Sequence, residues 1–204
     1  MTKKLSRDYS RVDRYLDILG ADVYPQPPDE WHNEQAQRVI AAYGTIPVGT
    51  KTILDIGCGQ GFCKPMWEEI GYEWSGVTLG QDYAECKKAG LSVERADMSF
   101  LPFEDASFDI LFARHVLEHS PMPIVTLMEW HRVANPFIIL VAPNPLYWGA
   151  GGRNHYSVAT IDQILWWLEL TNWDVMRDTK RNPEDHPEKE FWFLCRAKGE
   201  WERS

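Results

Sequence analysis

Long apolar runs are missing from the sequence: no stretch reaches the roughly 18 residues that a membrane-spanning helix needs. The N-terminus, MTKKLSRDYSRVDRYLDILG, also lacks the unbroken apolar stretch of a signal peptide. Cysteine is scarce and forms neither a C-x-x-C pair nor a regular disulfide spacing, which favours reduced thiols. Together these absences predict a soluble cytoplasmic protein that has no membrane segment.

Basic residues are also in deficit. The chain has 21 Lys and Arg against 30 Asp and Glu, which gives a formal net charge of −9 at pH 7. The few adjacent basic pairs are scattered along the sequence and form no stripe. A polyanion would meet net repulsion, so nucleic acid is disfavoured as a partner.

Two kinds of apolar pattern alternate along the 204 residues, a length that suits one domain with a sizeable core. Short runs (TILDIG, EWSGVTL, LSVERA, FDILFA and FIILVA) are separated by stretches of helical period. Such alternation predicts an α/β fold with a parallel sheet covered on both faces. The last two runs, WDVMRD and EFWFLCRA, are separated by a polar segment typical of a hairpin, so the last strand is predicted to be antiparallel.

The N-terminal segment has a different character. Its apolar residues recur at steps of three and four, as on one face of a helix: Tyr9, Val12, Leu16 and Leu19. Three prolines in ADVYPQPPDE end this helix, and a second one is predicted from about Asp29 to Tyr43. We therefore expect residues 1–45 to form a helical cap or lid, and residues 46–204 to form the α/β domain.

The stretch ILDIGCGQG, residues 53–61, places three glycines directly after a predicted strand at 52–56, with a helix expected from about Phe62. Such a turn offers free backbone N–H groups and no Cβ to block a ligand at the carboxyl end of a parallel strand. The dinucleotide motif G-x-G-x-x-G would need glycine at position 62, and the phosphate loop is absent. A ligand with an amino acid end fits this turn better than one with phosphates.

From about Lys51 to Arg177, four ordered segments resemble the class I S-adenosylmethionine-dependent methyltransferases: ILDIGCGQG, ERADMSFLPFEDASFDILFARHVLEH, MEWHRVANPFIILVAPNP and HYSVATIDQILWWLELTNWDV. The likeness is to the small-molecule enzymes related to the ubiquinone and menaquinone methyltransferases. It implies a Rossmann-like, seven-stranded, mostly parallel sheet, S-adenosyl-L-methionine as cofactor and methyl transfer (EC 2.1.1) by in-line displacement.

The resemblance also implies the cofactor residues. Asp55 and the glycine turn would hold the methionine part, with the N–H groups of the turn as donors to the buried Asp55 carboxylate. Asp97 would accept from the adenine amine and Met98 would donate to a ring nitrogen, although an aspartate there can also cap a strand end. The whole predicted set is Asp55, Gly57, Cys58, Gly59, Gly61, Thr78, Leu79, Asp82, Asp97, Met98 and Arg114.

One position departs from the family. The acidic residue that usually grips the ribose at the end of strand two is Thr78 here. GVTLG is similar to the GVTLS of cyclopropane fatty acid synthases and sterol methyltransferases, which also lack that carboxylate, so Gln81 or Asp82 could take over its role. The missing acid also counts against a nicotinamide enzyme.

A second motif, His115-x-x-Glu118-His119, matches the inverted zinc protease signature. That signature needs both histidines on one helix, four residues apart. Here a strand precedes the motif and the prolines of SPMP follow it, and in the resembled methyltransferases the LEH step is mostly structural. We therefore predict no metal.

Methyl transfer from a sulfonium needs mainly alignment of the acceptor and exclusion of water, and a general base only where the acceptor carries a proton of high pKa. The candidate bases are His115, His155 and Tyr156, each of which a structural hydrogen bond would equally explain. Trp31, Trp148 and Tyr24 stand where a lid could present aromatic rings to the acceptor.

The predicted function is methylation of a small-molecule or glycan-like acceptor, at O, N or C. One alternative is a catalytically idle cofactor-binding scaffold that acts through a protein partner. The other is a protein or nucleic-acid methyltransferase, although the Asn/Asp-Pro-Pro-Tyr motif of amino-methylating DNA enzymes is missing. The oligomeric state stays open.

Overall fold

The computed structural model describes residues 14–15, 17–18, 21, 25, 29–46, 49, 51–149, 152, 154–181 and 189–199. Its strands are β1 (Thr52–Ile56), β2 (Glu73–Thr78), β3 (Val93–Arg95), β4 (Phe108–Arg114), β5 (Ala134–Pro143), β6 (Trp173–Asp178) and β7 (Glu190–Ala197). Its helices are α1 (Glu30–Tyr43), α2 (Lys64–Glu69), α3 (Gly80–Lys88), α4 (Pro123–Val133), α5 (Pro145–Trp148) and α6 (Ile161–Leu170), and a 3₁₀ turn spans Leu117–His119.

The strands form a seven-stranded sheet in the order β3-β2-β1-β4-β5-β7-β6. The first five pair in parallel, and β7 runs antiparallel to both of its neighbours, β5 and β6. This confirms the predicted α/β fold with an antiparallel last strand. In open parallel sheets of this kind, ligands bind outside the carboxyl ends of the strands.

Both faces of the sheet are buried, which is why its central strands consist mostly of apolar residues. In β1, Leu54 and Ile56 face one core, which also contains Trp130 of α4. Ile53 faces the opposite core, which contains Trp67 of α2. Near-continuous apolar runs therefore mark these strands, whereas strands of a sheet buried on one face would alternate between apolar and polar residues.

Helix α1 packs on the second of these cores through Ala36, Val39, Ile40 and Tyr43. It begins where predicted, because the Asp29 carboxylate caps it by accepting a hydrogen bond from the His32 N–H at 2.8 Å. The four residues of the predicted earlier helix lie outside the described residues. Within the part of the chain that is described, no helix is both long and apolar enough to cross a membrane.

Candidate active site

A cavity of about 460 Å³ opens where β1, β2, β4 and β5 end. Every predicted cofactor residue except Gly61 lines this cavity, and so do the three candidate bases: Asp55, Gly57, Cys58, Gly59, Thr78, Leu79, Asp82, Asp97, Met98, Arg114, His115, His155 and Tyr156. The sheet topology thus brings together residues that lie up to 101 positions apart, from Asp55 to Tyr156.

The glycine turn after β1 forms one wall. Gly57 has a φ of +67°, and a Cβ at this residue would lie 2.5 Å from Cγ2 of Val116, so only glycine fits. Contrary to our expectation, the first N–H groups of the turn are not free, because those of Gly57 and Cys58 donate to the Val77 carbonyl at 2.8 and 3.0 Å. The turn folds back over the end of β2, and its residues Gly57, Cys58 and Gly59 line the cavity.

Gly61, at the end of this turn, supports it from outside the cavity. Its φ is +79°, and a Cβ would lie 2.7 Å from Cδ1 of Leu91. Its N–H donates to the Cys58 carbonyl at 2.9 Å. Gly61 therefore has a packing role at the end of the turn, and its contact with the cofactor stays a prediction.

Asp55 lies at the floor of the cavity with 3% of its surface exposed. Its Oδ2 accepts a hydrogen bond from Nε1 of Trp74 at 3.1 Å, so the expected donors from the glycine turn are replaced by an indole on the neighbouring strand. Burial raises the pKa of Asp55 to about 7, and the Trp74 hydrogen bond opposes this only in part. A cation placed nearby would favour the ionised carboxylate.

The two residues predicted to bind the adenine, Asp97 and Met98, follow β3 in the chain. The Asp97 side chain accepts a hydrogen bond from the Ser99 N–H at 2.7 Å, so it caps the chain after the strand. Asp97 also lines the cavity. Met98 is fixed through its carbonyl, which accepts from Nε1 of Trp130 at 2.9 Å. Capping and ligand binding are thus compatible at this position.

At the end of β2, Thr78 is buried and lines the cavity. Of the two residues considered for the ribose, Asp82 lines the cavity, whereas Gln81 is exposed on α3. Oδ1 of Asp82 accepts a hydrogen bond from Nε2 of Gln60 at 3.0 Å, which ties α3 to the glycine turn. The geometry therefore favours Asp82 over Gln81.

A buried carboxylate that the sequence did not reveal holds two predicted site residues. Oε1 of Glu190 lies 2.5 Å from Nη2 of Arg114 and 2.8 Å from Nε2 of His115, and Oε2 accepts from Nε1 of Trp192 at 2.9 Å. Burial alone would raise the pKa of Glu190, but His115 and the Arg114 charge lower it to about 2. Burial also lowers the pKa of His115, so that this imidazole is neutral at pH 7.

Two tryptophan rings meet beside the cavity, and one of them, Trp148, lines it. The rings of Trp31 on α1 and Trp148 on α5 meet edge to face, with centroids 5.5 Å apart. Arg114 and Lys189 place their cationic groups 5.4 and 5.2 Å from the Trp31 ring. Of the three rings predicted for a lid, these two are described and meet here, while Tyr24 lies outside the described residues.

The opposite wall contains a second group of polar residues. The H-x-x-E-H motif does not lie on one helix: His115 has a φ of +55° after β4, and Glu118 and His119 lie in the 3₁₀ turn. His155 reaches this turn from the loop after α5, and its ring centroid lies 4.8 Å from that of His119. Tyr156 is more exposed, and its hydroxyl lies 3.4 Å from Oδ1 of Asn154.

Comparison with known proteins shows which class of protein this chain resembles. Residues 54–141 match the methyltransferase-domain model Methyltransf_11. An uncharacterized methyltransferase of Mycobacterium tuberculosis is 29% identical over 152 residues, which cover 72% of this chain and 56% of that protein. The chain thus spans about half the length of the curated relatives it matches.

Solved structures share the fold at low sequence identity. A S-adenosylmethionine-dependent methyltransferase from Archaeoglobus fulgidus matches with a TM-score of 0.64 at 16% identity, covering 81% of this chain and 94% of that one. The [4+2]-cyclase SpnF matches with a TM-score of 0.62 at 16% identity, covering 94% of each chain.

Residues 54–141 thus match a methyltransferase domain, and the motifs and the fold agree with class I, the S-adenosylmethionine-dependent type. The cofactor of this class is S-adenosyl-L-methionine. The narrower likeness to the ubiquinone and menaquinone enzymes stays a prediction.

Proposed function

We propose that this protein transfers a methyl group from S-adenosyl-L-methionine to a small-molecule or glycan-like acceptor. The observation that carries the proposal is the cavity at the carboxyl ends of the strands, lined by nearly all the predicted cofactor residues. Its volume of about 460 Å³ lies within the range of roughly 300–1,000 Å³ that is typical of ligand sites.

The residues present fit the cofactor. Asp55 is a buried carboxylate with one neutral indole donor, and the cofactor's ammonium group would supply the missing positive charge. Gly57 and Gly59 of the glycine turn line the cavity, where they would contact the methionine part. Asp97 and Met98 would hold the adenine, and Asp82 the ribose in place of the usual acid at the end of strand two.

The cofactor's sulfonium supplies an electrophilic methyl group, so the protein has to align an acceptor and exclude water. Trp148 and Tyr156 are partly exposed rings that line the cavity and suit a flat or apolar acceptor. The neutral imidazole of His115, held by Glu190, is our first candidate for a base that accepts a proton from the acceptor.

The test is a screen for S-adenosylhomocysteine release with a panel of phenols, catechols, amines, carboxylic acids and monosaccharides. We expect turnover with one chemical class, lost in Asp97→Ala and retained in the matched control Asp162→Ala. Asp162 is an exposed residue on α6, and its pairing with Lys180 is of the surface kind that contributes little. Absence of release across the panel, with cofactor binding intact, would contradict a small-molecule acceptor.

A second candidate function is cofactor binding without methyl transfer. The structural similarity to SpnF supports this second candidate, because a protein named as a cyclase has this fold. Such a protein would bind S-adenosylmethionine tightly and release no S-adenosylhomocysteine with any acceptor. The screen therefore separates the two candidates.

A further inference from the structure

We propose that Glu118, His119 and His155 form a binding site for one divalent first-row transition-metal ion, such as Zn²⁺ or Mn²⁺, on the acceptor side of the cavity. Each of these residues offers one ligand atom, and these atoms all lie within 4.8 Å of one another. All three residues line the cavity. Two imidazoles and one carboxylate match the His₂Glu set of open metal sites, which leave a coordination position for water or substrate.

The environment of Glu118 is the feature that points most directly to a bound cation. Its side chain is 2% exposed, and neither carboxylate oxygen has a hydrogen-bond partner among the described residues. The nearest basic group is Nδ1 of His115, at 3.8 Å from Oε1. A buried carboxylate without donors is costly, and a metal ion in direct contact removes that cost.

His119 is held in an orientation that suits a metal ligand. Nδ1 of His119 lies 3.0 Å from the Asn154 carbonyl, which fixes the proton on Nδ1 and puts the lone pair of the neutral ring on Nε2. Metal-binding histidines typically donate their other ring N–H to a carbonyl or carboxylate in this way.

The loop that carries His155 is fastened to the turn that carries Glu118. The Ser157 hydroxyl lies within hydrogen-bond distance of the carbonyls of Leu117 and Ser120, at 2.8 and 2.7 Å, and the Ser157 N–H donates to the Glu118 carbonyl at 3.0 Å. Gly152 packs so closely on His155 that a Cβ would lie 2.4 Å from Nδ1. The three ligands are therefore preorganised by contacts outside the cluster.

The site also gives the H-x-x-E-H motif a different interpretation. The zinc protease arrangement would use His115 and His119 from one helix, and this chain has no such helix there. In the proposed site His155 takes the place of His115, because Nε2 of His115 is already engaged by Glu190. His155 is then a metal ligand, which removes it from the candidate bases.

The role we assign to the ion rests on the proposed function, whereas metal binding itself does not. An acceptor with an oxygen donor, such as a hydroxyl or carboxylate, would coordinate the ion at its open position. The ion would orient that acceptor and lower the pKa of a coordinated hydroxyl. The substrate class is therefore an oxygen-bearing small molecule able to coordinate a metal.

The experiment uses the full chain without an affinity tag, stripped with a chelator and titrated with Co²⁺ and Zn²⁺ by calorimetry and visible absorption. We expect one ion per chain and the absorption bands of Co²⁺ bound by nitrogen and oxygen. Glu118→Gln and His155→Gln should each weaken the affinity at least tenfold. The matched control, His131→Gln, changes a buried histidine that contacts the Lys198 carbonyl away from the cavity, and should bind metal like the wild type.

Thermal unfolding and S-adenosylmethionine titrations of the same variants separate the two proposals. His155 is less buried than Glu118, so His155→Gln keeps the test valid if Glu118→Gln does not fold. Metal binding without cofactor binding would support the metal site and contradict the proposed function. Wild-type protein that binds cofactor but no metal, or an affinity unchanged in both ligand variants, would overturn the metal site.

Discussion

The buried carboxylate of Asp55 makes the stability of this protein depend on pH in a specific way. Its pKa rises from an ordinary 3.8 to about 7 on folding, a difference of about three pH units. At about 1.36 kcal/mol per unit, ionising this group costs the folded chain about 4 kcal/mol. The folded state holds the proton that the unfolded state has released, so this contribution is fully present below pH 3.8 and is lost as the pH rises to about 7.

The perturbation is Asp55→Asn, which removes the ionisation and leaves a carbonyl oxygen that can accept the Trp74 hydrogen bond. We expect the free energy of unfolding of the variant, relative to wild type, to increase by about 4 kcal/mol between pH 4 and pH 7.5 and to be constant above that. The assay is urea denaturation followed by tryptophan fluorescence across this pH range. Taking the difference cancels the other titrating groups that both chains share.

A flat difference between pH 4 and pH 7.5 would refute this reasoning, because it would mean that Asp55 ionises normally. A second experiment repeats the wild-type measurements with saturating S-adenosylmethionine. If its ammonium group lies near Asp55, the pKa of the carboxylate falls, and the pH dependence of wild-type stability in this range shrinks.

Three further predictions concern the turn, the buried ion pair and the N-terminal segment. Gly57→Ala should lower the free energy of unfolding by about 2–5 kcal/mol, because alanine disfavours the left-handed backbone and its Cβ overlaps a methyl group of Val116. The control Gly90→Ala, with a φ of +70° and nothing within 4 Å of the added Cβ, should lower it by only about 1–2 kcal/mol. Equal losses in thermal unfolding would contradict the overlap at Gly57. Glu190→Gln should lower stability at pH 7 by about 3–5 kcal/mol and move the His115 pKa measured by NMR further down, and a cost below about 1 would contradict a shared buried charge. Deleting residues 1–28 should weaken cofactor affinity and turnover if the predicted cap closes over the site, and unchanged values would rule the lid out.

The strands were predictable because each central one is buried on both faces and therefore forms a short, mostly apolar run in the sequence. The helix expected from Phe62 begins only at Lys64, because the glycine turn continues through Cys63 and Pro65 stands in the first turn of the helix. Local sequence cannot locate that boundary, since the close contacts of the turn come from β2 and from Val116.

The partners within the site were less predictable, because they depend on how distant strands pair. Glu190 reaches Arg114 only because β7 runs antiparallel to β5 in a register that sets Glu190 opposite Pro143. Likewise, no local spacing shows that His155 meets Glu118 and His119; that contact depends on the loop which Ser157 ties down. The motif residues were predictable from the sequence, and their contacts were not.

The measurement that tests the central claim most directly is titration calorimetry with S-adenosylmethionine and S-adenosylhomocysteine, using wild type, Asp97→Ala, Gly59→Val and the control Asp162→Ala. We expect micromolar binding of both ligands by wild type and the control, and its loss in the two cavity variants. Folded wild-type protein that binds neither ligand, or cavity variants that bind like the control, would contradict the assignment of this cavity to S-adenosylmethionine.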